Sequence, residues 1–342
     1  MSTLRTPLCD RLGIDVPVVQ APIGSVSCPE LAAAVSEAGG LGTLAVTWLP
    51  LDATESVIEA TRERTDRPFG VNLVLDPDTT IHETGAHLET CLDAGAEIVS
   101  FSFGDAAPYV DRVHEAGGTV VQTVGSAAEA REAVDAGVDV LVSQGWEAGG
   151  HVQSDVATMP LVPAVADATA EDVPVIAAGG IADGRGLAAA LALGADGAWL
   201  GTRFVTATES RAHADYQRAV RDADALDAVR SELYDGGWPG QPHRTLANST
   251  YQDWTEAGEP PAGERPGEGE AVARYGDGHP VARYDDDPPL AGMDGDVESL
   301  AMYAGQSADL TGAVRPAAEI VDELVAEAHD RIDSLSAFTR DP

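Results

Sequence analysis

Up to Phe204 the chain alternates between short β-branched runs and Ala-rich amphipathic runs, and the second kind repeatedly stops on glycine. The strand-like runs are Val16–Gln20, Leu41–Val46, Phe69–Leu75, Glu97–Phe103, Thr119–Val124, Val138–Ser143, Val173–Ala178 and Gly197–Phe204. The helix-like runs between them are Pro29–Ala38, Ala53–Thr65, Ile81–Ala94, Pro108–Ala116, Ala127–Ala136, Met159–Ala168 and Arg185–Leu193. Gly39, Gly95, Gly117, Gly137 and Gly194 close five of these, and a glycine just past a helix supplies the left-handed backbone that ends it. Strands joined by helical crossovers run parallel. An open doubly wound sheet and a closed (β/α)8 barrel both satisfy this pattern. Eight repeats in one direction favour the barrel, because closure removes both sheet edges. No G-x-G-x-x-G follows the first strand; Gln20-Ala21-Pro22-Ile23-Gly24 stands there instead, which argues against a dinucleotide-binding sheet. The expected fold class is α/β, a (β/α)8 TIM barrel with an insertion or cap segment after strand eight.

Beyond Phe204 the pattern breaks. Glu209–Ala225 has helical spacing, and Gly236–Gly295 is rich in Gly, Pro and acidic residues. Residues 258–267 read as a mobile loop. Trp238, Tyr251 and Trp254 are large anchors that speak for partial order nearby. Leu300–Gly305 regains order, and Pro316–Leu335 carries an apolar stripe of Ile320, Leu324, Ile332 and Leu335. Residues 1–210 and 302–342 are read as the barrel, and 211–301 as an acidic cap near its mouth.

Charge narrows the choice of partners. The 342 residues include 57 acidic and 20 basic side chains, a net charge of -37, and every basic residue is Arg. Such a surface repels nucleic acid and anionic membranes. The acidity is spread along the chain, which points to a surface adapted to high salt and to a cytoplasmic protein of an extreme halophile. Cys9, Cys28 and Cys91 are odd in number and lack metal-ligand spacing, so buried thiols in a reducing compartment are expected. Met1–Asp10 has no apolar core of a signal peptide, and no stretch is apolar enough to span a bilayer.

Chemistry concentrates in three loops. Strand six runs into Gln144-Gly145-Trp146-Glu147-Ala148-Gly149-Gly150-His151, where glycines permit close approach of a ligand and an imidazole can exchange a proton. Strand seven leads into Gly179-Gly180, and strand eight into Gly201-Thr202. In a barrel those two loops share the corner where phosphate groups commonly bind, held by backbone N–H groups and a following helix terminus. Gln20, Asn72, Gln122 and Gln144 are amides on strands that would otherwise be aliphatic. Buried amides need partners, which a planar ring with several acceptors would supply, as would mutual hydrogen bonds within the barrel. His82, His87, His114 and His213 read as surface residues, and His243 and His279 fall in the insertion. No histidine pair has metal-ligand spacing on one helix, so no metal is expected. The absence of G-x-S-x-G leaves serine nucleophile chemistry unsupported.

These motifs resemble the nitronate monooxygenases, formerly 2-nitropropane dioxygenases, which are FMN-dependent barrels. The match runs through Gln20-Ala21-Pro22, Pro29–Gly42, Phe69-Gly70-Val71-Asn72, Ser100–Gly104, Gln144–His151, Ala178–Gly184, Gly201–Phe204 and Met302-Tyr303-Ala304-Gly305-Gln306. The resemblance implies that Gly179, Gly180, Gly201 and Thr202 hold the FMN phosphate. It implies that Asn72, Gln122, Gln144 and Gly149 contact the rest of the cofactor, and that the Ala21-Pro22 backbone faces the isoalloxazine. His151 takes the catalytic position, removing the α-proton of a nitroalkane or orienting a nitronate, and oxygen completes conversion to a carbonyl compound and nitrite. Ile23 stands where the family often has Met, and the insertion is unusually long and acidic, so the substrate is less fixed than the cofactor. Related flavin barrels leave two alternatives open, an NAD(P)H-dependent FMN reductase of quinones or enoyl thioesters and a non-catalytic flavin-binding protein. A homodimer is compatible with the sequence.

Overall fold

The computed structural model describes residues 4–169 and 173–339. Eight parallel strands form the central sheet: β1 (Val18–Gln20), β2 (Gly42–Ala45), β3 (Phe69–Val74), β4 (Ile98–Ser102), β5 (Thr119–Val124), β6 (Val140–Gln144), β8 (Val175–Ala178) and β9 (Gly197–Leu200). A two-residue strand, β7 (Gly150–His151), branches off after β6. The sheet order ends on β1 and β2, and a parallel bridge between Val19 and Leu41 joins these two edges and closes the barrel. All eight strands lie within or within one residue of the runs expected from the sequence. The glycine signals work as read: Gly39, Gly95, Gly117, Gly137 and Gly194 all have positive φ.

Two apolar layers position the mouth. Inside the barrel, Val19, Leu41, Ile98, Val121, Val140, Val142, Ile176 and Trp199 pack with Leu8, Cys9 and Leu12 of a helix at Pro7–Leu12. That helix plugs one end and leaves the C-terminal ends of the strands for the site. Outside, the helix Ala317–Ser336 returns to pack Ile320, Val321, Leu324 and Ala328 against the helix Gly184–Ala192 and its neighbours. The expected stripe is corrected here: Ile332 and Leu335 are 37% and 40% exposed, because the packed face ends at Ala328. His87 also departs from its surface reading. It faces inward from the helix Thr84–Asp93, and its Nε2 lies 2.8 Å from Thr54 Oγ1. All three cysteines are free and buried.

The insertion is folded. It contains β10 (Ala228–Ser231), β11 (His243–Leu246), a helix at Ser249–Glu256, β12 (Ala271–Arg274), β13 (Pro280–Ala282) and β14 (Asp294–Gly295). β10, β11 and β7 form one antiparallel sheet, with His243 opposite His151 and Arg244 opposite Gly150. β13, β12 and β14 form a second. The segment read as a mobile loop is anchored at both ends. Trp254 Nε1 donates to Pro260 O at 2.9 Å. The Arg265 side chain is 8% exposed; it pairs with Asp235 and Glu268 and lies 4.2 Å over the Tyr284 ring. A buried guanidinium with two carboxylates and an aromatic face is fully served, so glycine-rich composition did not translate into a loose segment here. Among the described residues no helix is long and apolar enough to cross a membrane.

Candidate active site

The loop after β6 is tied on several sides. Trp146 sits between two guanidinium groups, Arg230 at 4.2 Å and Arg244 at 5.6 Å from its ring, and its carbonyl accepts from Arg244 at 3.0 Å. Glu147 Oε2 accepts from Thr158 N at 2.8 Å and Thr158 Oγ1 at 2.9 Å, capping the start of the helix Thr158–Ala166. Gly149 packs where the returning chain crosses: a Cβ there would meet Gly305 N at 2.5 Å and Ala304 C at 2.6 Å. The glycine is required for this crossing of two backbones, a different reason from room for a ligand. Gln144 accepts from Gln153 N at 2.9 Å and donates to His151 O at 3.3 Å, which pins the short strand carrying the histidine.

At the barrel mouth lies a cavity of about 300 Å³. It is lined by Ala21 and Pro22 after β1, Asn72 on β3, Gln144 at the end of β6, Gly149 and His151 in the segment that follows it, Gly179 and Gly180 after β8, and Gly201 and Thr202 after β9. The structure therefore brings ten of the eleven residues singled out from the sequence to one space. Gln122 is the exception. It does not line the cavity; it donates to Gly104 O at 3.2 Å and leaves its Oε1 buried without a partner. Gln20 is likewise used internally. Its Oε1 accepts from Thr43 N at 2.9 Å, and its Nε2 donates to Ser27 Oγ at 3.1 Å and to Ala21 O, bracing the loop that presents Ala21 and Pro22.

The corner expected to hold an anion is built from two left-handed glycines and the start of a short helix. Gly179 and Gly180 have consecutive φ values of +98° and +71°, which only glycine adopts at low cost. Thr202 opens the short helix Thr202–Val205, and its Oγ1 accepts from Gly305 N at 2.9 Å, so the hydroxyl proton is left to point elsewhere. Among the described residues no Arg lines the cavity. Backbone and hydroxyl donors are thus what this corner offers an anion.

His151 lines the same cavity. Its Nε2 is buried and has no hydrogen-bond partner. Rings surround it: Trp238 at 4.5 Å, His243 at 5.3 Å, Tyr303 at 5.8 Å and Phe103 at 6.5 Å. Burial, helped by His243, lowers the His151 pKa to about 3, so the ring is neutral. His243 is fully buried and also lowered by burial, to about 4. Its Nδ1 lies 3.1 Å from Gln241 O and its Nε2 accepts from Tyr234 N at 3.2 Å, which assigns the Nδ1–H tautomer. With both nitrogens committed, His243 cannot exchange protons with substrate and serves as packing behind His151.

Sequence reading missed this aromatic wall. Trp238 was taken as an anchor of the insertion, yet it lines the cavity, with Nε1 donating to Asp76 Oδ2 at 3.0 Å and its ring 4.7 Å from Phe103. Phe103 has a φ of +56°, a left-handed value costing about 1 kcal/mol or more, held by its N–H donating to Gln153 Oε1 at 3.1 Å. Positive φ at a bulky residue has no signal in a single sequence.

The depressed histidines have a measurable consequence. Burial lowers His87 to about 4 as well. All three lie below the ordinary imidazole value of about 6.5, so the unfolded chain takes up protons first as pH falls. Their contribution to stability is complete above about pH 6.5 and is lost as pH falls toward about 4. In imidazole NMR spectra of the folded protein, the His87, His151 and His243 resonances should remain in the neutral position down to about pH 5. A titration midpoint near 6.5 for His151 would contradict the burial.

A closed (β/α)8 barrel with a polar-and-aromatic cavity at its C-terminal face, lined by two glycine-bearing loops and an imidazole, is the arrangement of a barrel enzyme. A family model described as nitronate monooxygenase matches residues 5–327, and the chain belongs to that family of oxidoreductases. It is 34% identical over 379 aligned positions to a nitronate monooxygenase of Paraburkholderia phytofirmans, covering 98% of each chain. It is 40% identical to the (3aS,4S,5R,7aS)-5-hydroxy-7a-methyl-1-oxo-octahydro-1H-indene-4-carboxyl-CoA dehydrogenase of Mycobacterium tuberculosis, over 71% of this chain and 66% of that protein. Among solved structures it is similar to FabK from Thermotoga maritima, with a TM-score of 0.82, 32% identity, and coverage of 98% of this chain and all of that one. It is also similar to a nitroalkane oxidase from Streptomyces ansochromogenes, with a TM-score of 0.76, 31% identity, and coverage of 96% of this chain and all of that one.

Proposed function

We propose that the chain is an FMN-dependent enzyme that oxidises nitroalkanes or nitronates with molecular oxygen, giving a carbonyl compound and nitrite. The observation that carries this reading is that His151, whose Nε2 has no hydrogen-bond partner, lines the same cavity as the Gly179-Gly180 and Gly201-Thr202 corner. The residues present fit FMN. Gly179, Gly180, Gly201 and Thr202 would take the phosphate, Asn72, Gln144 and Gly149 would flank the rest, and Ala21-Pro22 would lie against the ring. Gln122 would act from behind the wall. When bound, FMN supplies the electron acceptor and the reaction with oxygen.

The remaining work falls to this chain. Neutral His151 accepts the α-proton of a nitroalkane at Nε2, while the Phe103, Trp238 and Tyr303 rings keep water from the reacting carbon. The β7–β11 pairing fixes the ring's position. Residues 211–301 act as the cap that completes this wall.

One observation favours a second reading, an NAD(P)H-dependent FMN reductase or a dehydrogenase of CoA thioesters: the 40% identity to the carboxyl-CoA dehydrogenase. An anaerobic titration separates the two. The flavin of the purified holoenzyme should bleach with ethyl nitronate and not with NADH or NADPH. Bleaching by a nicotinamide alone would overturn the oxidase reading.

A further inference from the structure

The part of the insertion that crosses the barrel mouth is tied down on both sides. On the side of β7, Val152 N donates to Pro242 O at 3.1 Å, and the β7–β11 pairing follows directly. On the opposite side one carboxylate takes two bonds. Asp76 stands two residues past the end of β3, in the loop before the helix Thr84–Asp93. Its Oδ2 accepts from Trp238 Nε1 at 3.0 Å and from Gln241 Nε2 at 3.4 Å, both on the insertion. Its Oδ1 accepts from Asp78 N at 3.0 Å, which folds its own loop. The same loop holds a second cavity tryptophan. Trp48 Nε1 donates to Thr79 Oγ1 at 2.8 Å, and the Trp48 and Trp238 rings lie 6.5 Å apart. Trp238 is 1% exposed yet lines the cavity, so its indole is part of the wall. Its ring contacts, Phe103 at 4.7 Å and His151 at 4.5 Å, tolerate sliding, whereas a hydrogen bond to a carboxylate is directional. A buried N–H is also costly to leave without an acceptor, so the ring follows Asp76.

From this geometry we infer that Asp76 is a positioning residue that sets the size of substrate the cavity admits, by fixing the Trp238 ring in its wall. The inference rests on the proposed reading of this cavity as the substrate site. It goes further in assigning control of a wall supplied by the insertion to a loop of the barrel. A wall excludes a larger substrate only as far as it resists being pushed aside. With Asp76 in place the indole is a fixed boundary and small aliphatic substrates are favoured. With Asp76 shortened the ring is held by packing alone, and bulkier substrates gain room.

The discriminating variant is Asp76→Ser. A serine hydroxyl can still accept from Asp78 N and keep the turn, and it is one atom too short to hold the indole. Two measurements are made on the holoenzyme. The first is hydrogen exchange at the Trp238 indole, identified as the NMR signal that is lost in Trp238→Phe. Exchange should be at least about ten times faster in Asp76→Ser than in the wild type, with the barrel-strand amides within about twofold. The second is kcat/KM for ethyl nitronate and for the bulkier cyclohexyl nitronate. The bulky-to-small ratio should rise at least about tenfold in Asp76→Ser, through a lower KM for the larger substrate. Asp76→Asn keeps an oxygen within reach of the indole and should hold both readouts within about threefold of the wild type. Trp238→Phe lacks the donor and should raise the ratio at least about tenfold as well, so an unchanged ratio there counts against the inference even if Asp76→Ser does not fold. An unchanged ratio in folded Asp76→Ser, or equal shifts in Asp76→Asn and Asp76→Ser, would overturn it. Faster indole exchange in Asp76→Ser with no turnover of either nitronate by the wild type would sink the proposed reaction and still support the latch. Normal turnover of ethyl nitronate, with exchange and size ratio both unchanged in Asp76→Ser, would sink the latch and leave the reaction standing.

Discussion

Replacing His151 by Asn should lower kcat/KM for neutral nitroethane by about 100- to 10,000-fold, the usual contribution of a positioned general base. Asn keeps a polar group of similar reach at the end of β7 and removes the nitrogen proposed to take the proton. Ethyl nitronate is already deprotonated, so its rate should fall by no more than about tenfold. The contrast between the two substrates matters more than either loss, because a merely structural role for His151 would depress both alike. Flavin content and far-UV circular dichroism should match the wild type, since the β7–β11 pairing is made by backbone and survives the change. An equal loss on both substrates would remove the base from the mechanism and leave His151 as an orienting group.

The second large effect is structural. Gly149→Ala should destabilise the protein by about 1–3 kcal/mol and strip it of flavin, because the new methyl collides with backbone at Ala304 and Gly305 rather than with a side chain that could rotate away. For a chain of this size that corresponds to a melting midpoint lower by several degrees. Gly85→Ala is the matched control. It lies in the helix Thr84–Asp93, its Cβ would stand 3.5 Å from Arg112 Nη1, and its φ is not positive, so it should be neutral or slightly stabilising. If the two variants melt alike, the crossing at 149 and 305 is softer than its geometry indicates.

The barrel was legible because its rules are local. A β-branched run, an amphipathic run and a terminal glycine each occupy a few neighbouring residues, and eight repetitions leave little choice of topology. The loops bearing ten of the eleven candidate residues could be placed once the barrel was accepted, since βα loops open on one face. The insertion obeyed no such rule. β11 pairs with β7 across some ninety residues of sequence, and nothing in His243-Arg244-Thr245-Leu246 announces that partner. His243 therefore read as an incidental insertion residue, although it packs against His151. Amides misled in the other direction: Gln20 looked like a group in search of a ligand and is satisfied by Thr43, Ser27 and Ala21. His87 shows the same limit on a helix, where one polar residue on a packed face is indistinguishable from one on a wet face until its partner, Thr54, is seen.

The pairing of β7 with β11 also bears on how such a protein can change. Barrel enzymes acquire new specificities by exchanging whole loops while the strands stay put. That route is closed here, because the strand that carries His151 is hydrogen-bonded to a strand of the exchangeable segment, and removing one releases the other. Variation that leaves His151 in place is confined to the far part of the insertion, around Asp286-Asp287-Pro288, where the chain borders the cavity without bonding to β7. Libraries aimed at new substrates should therefore graft that tip and keep residues 228–246 fixed.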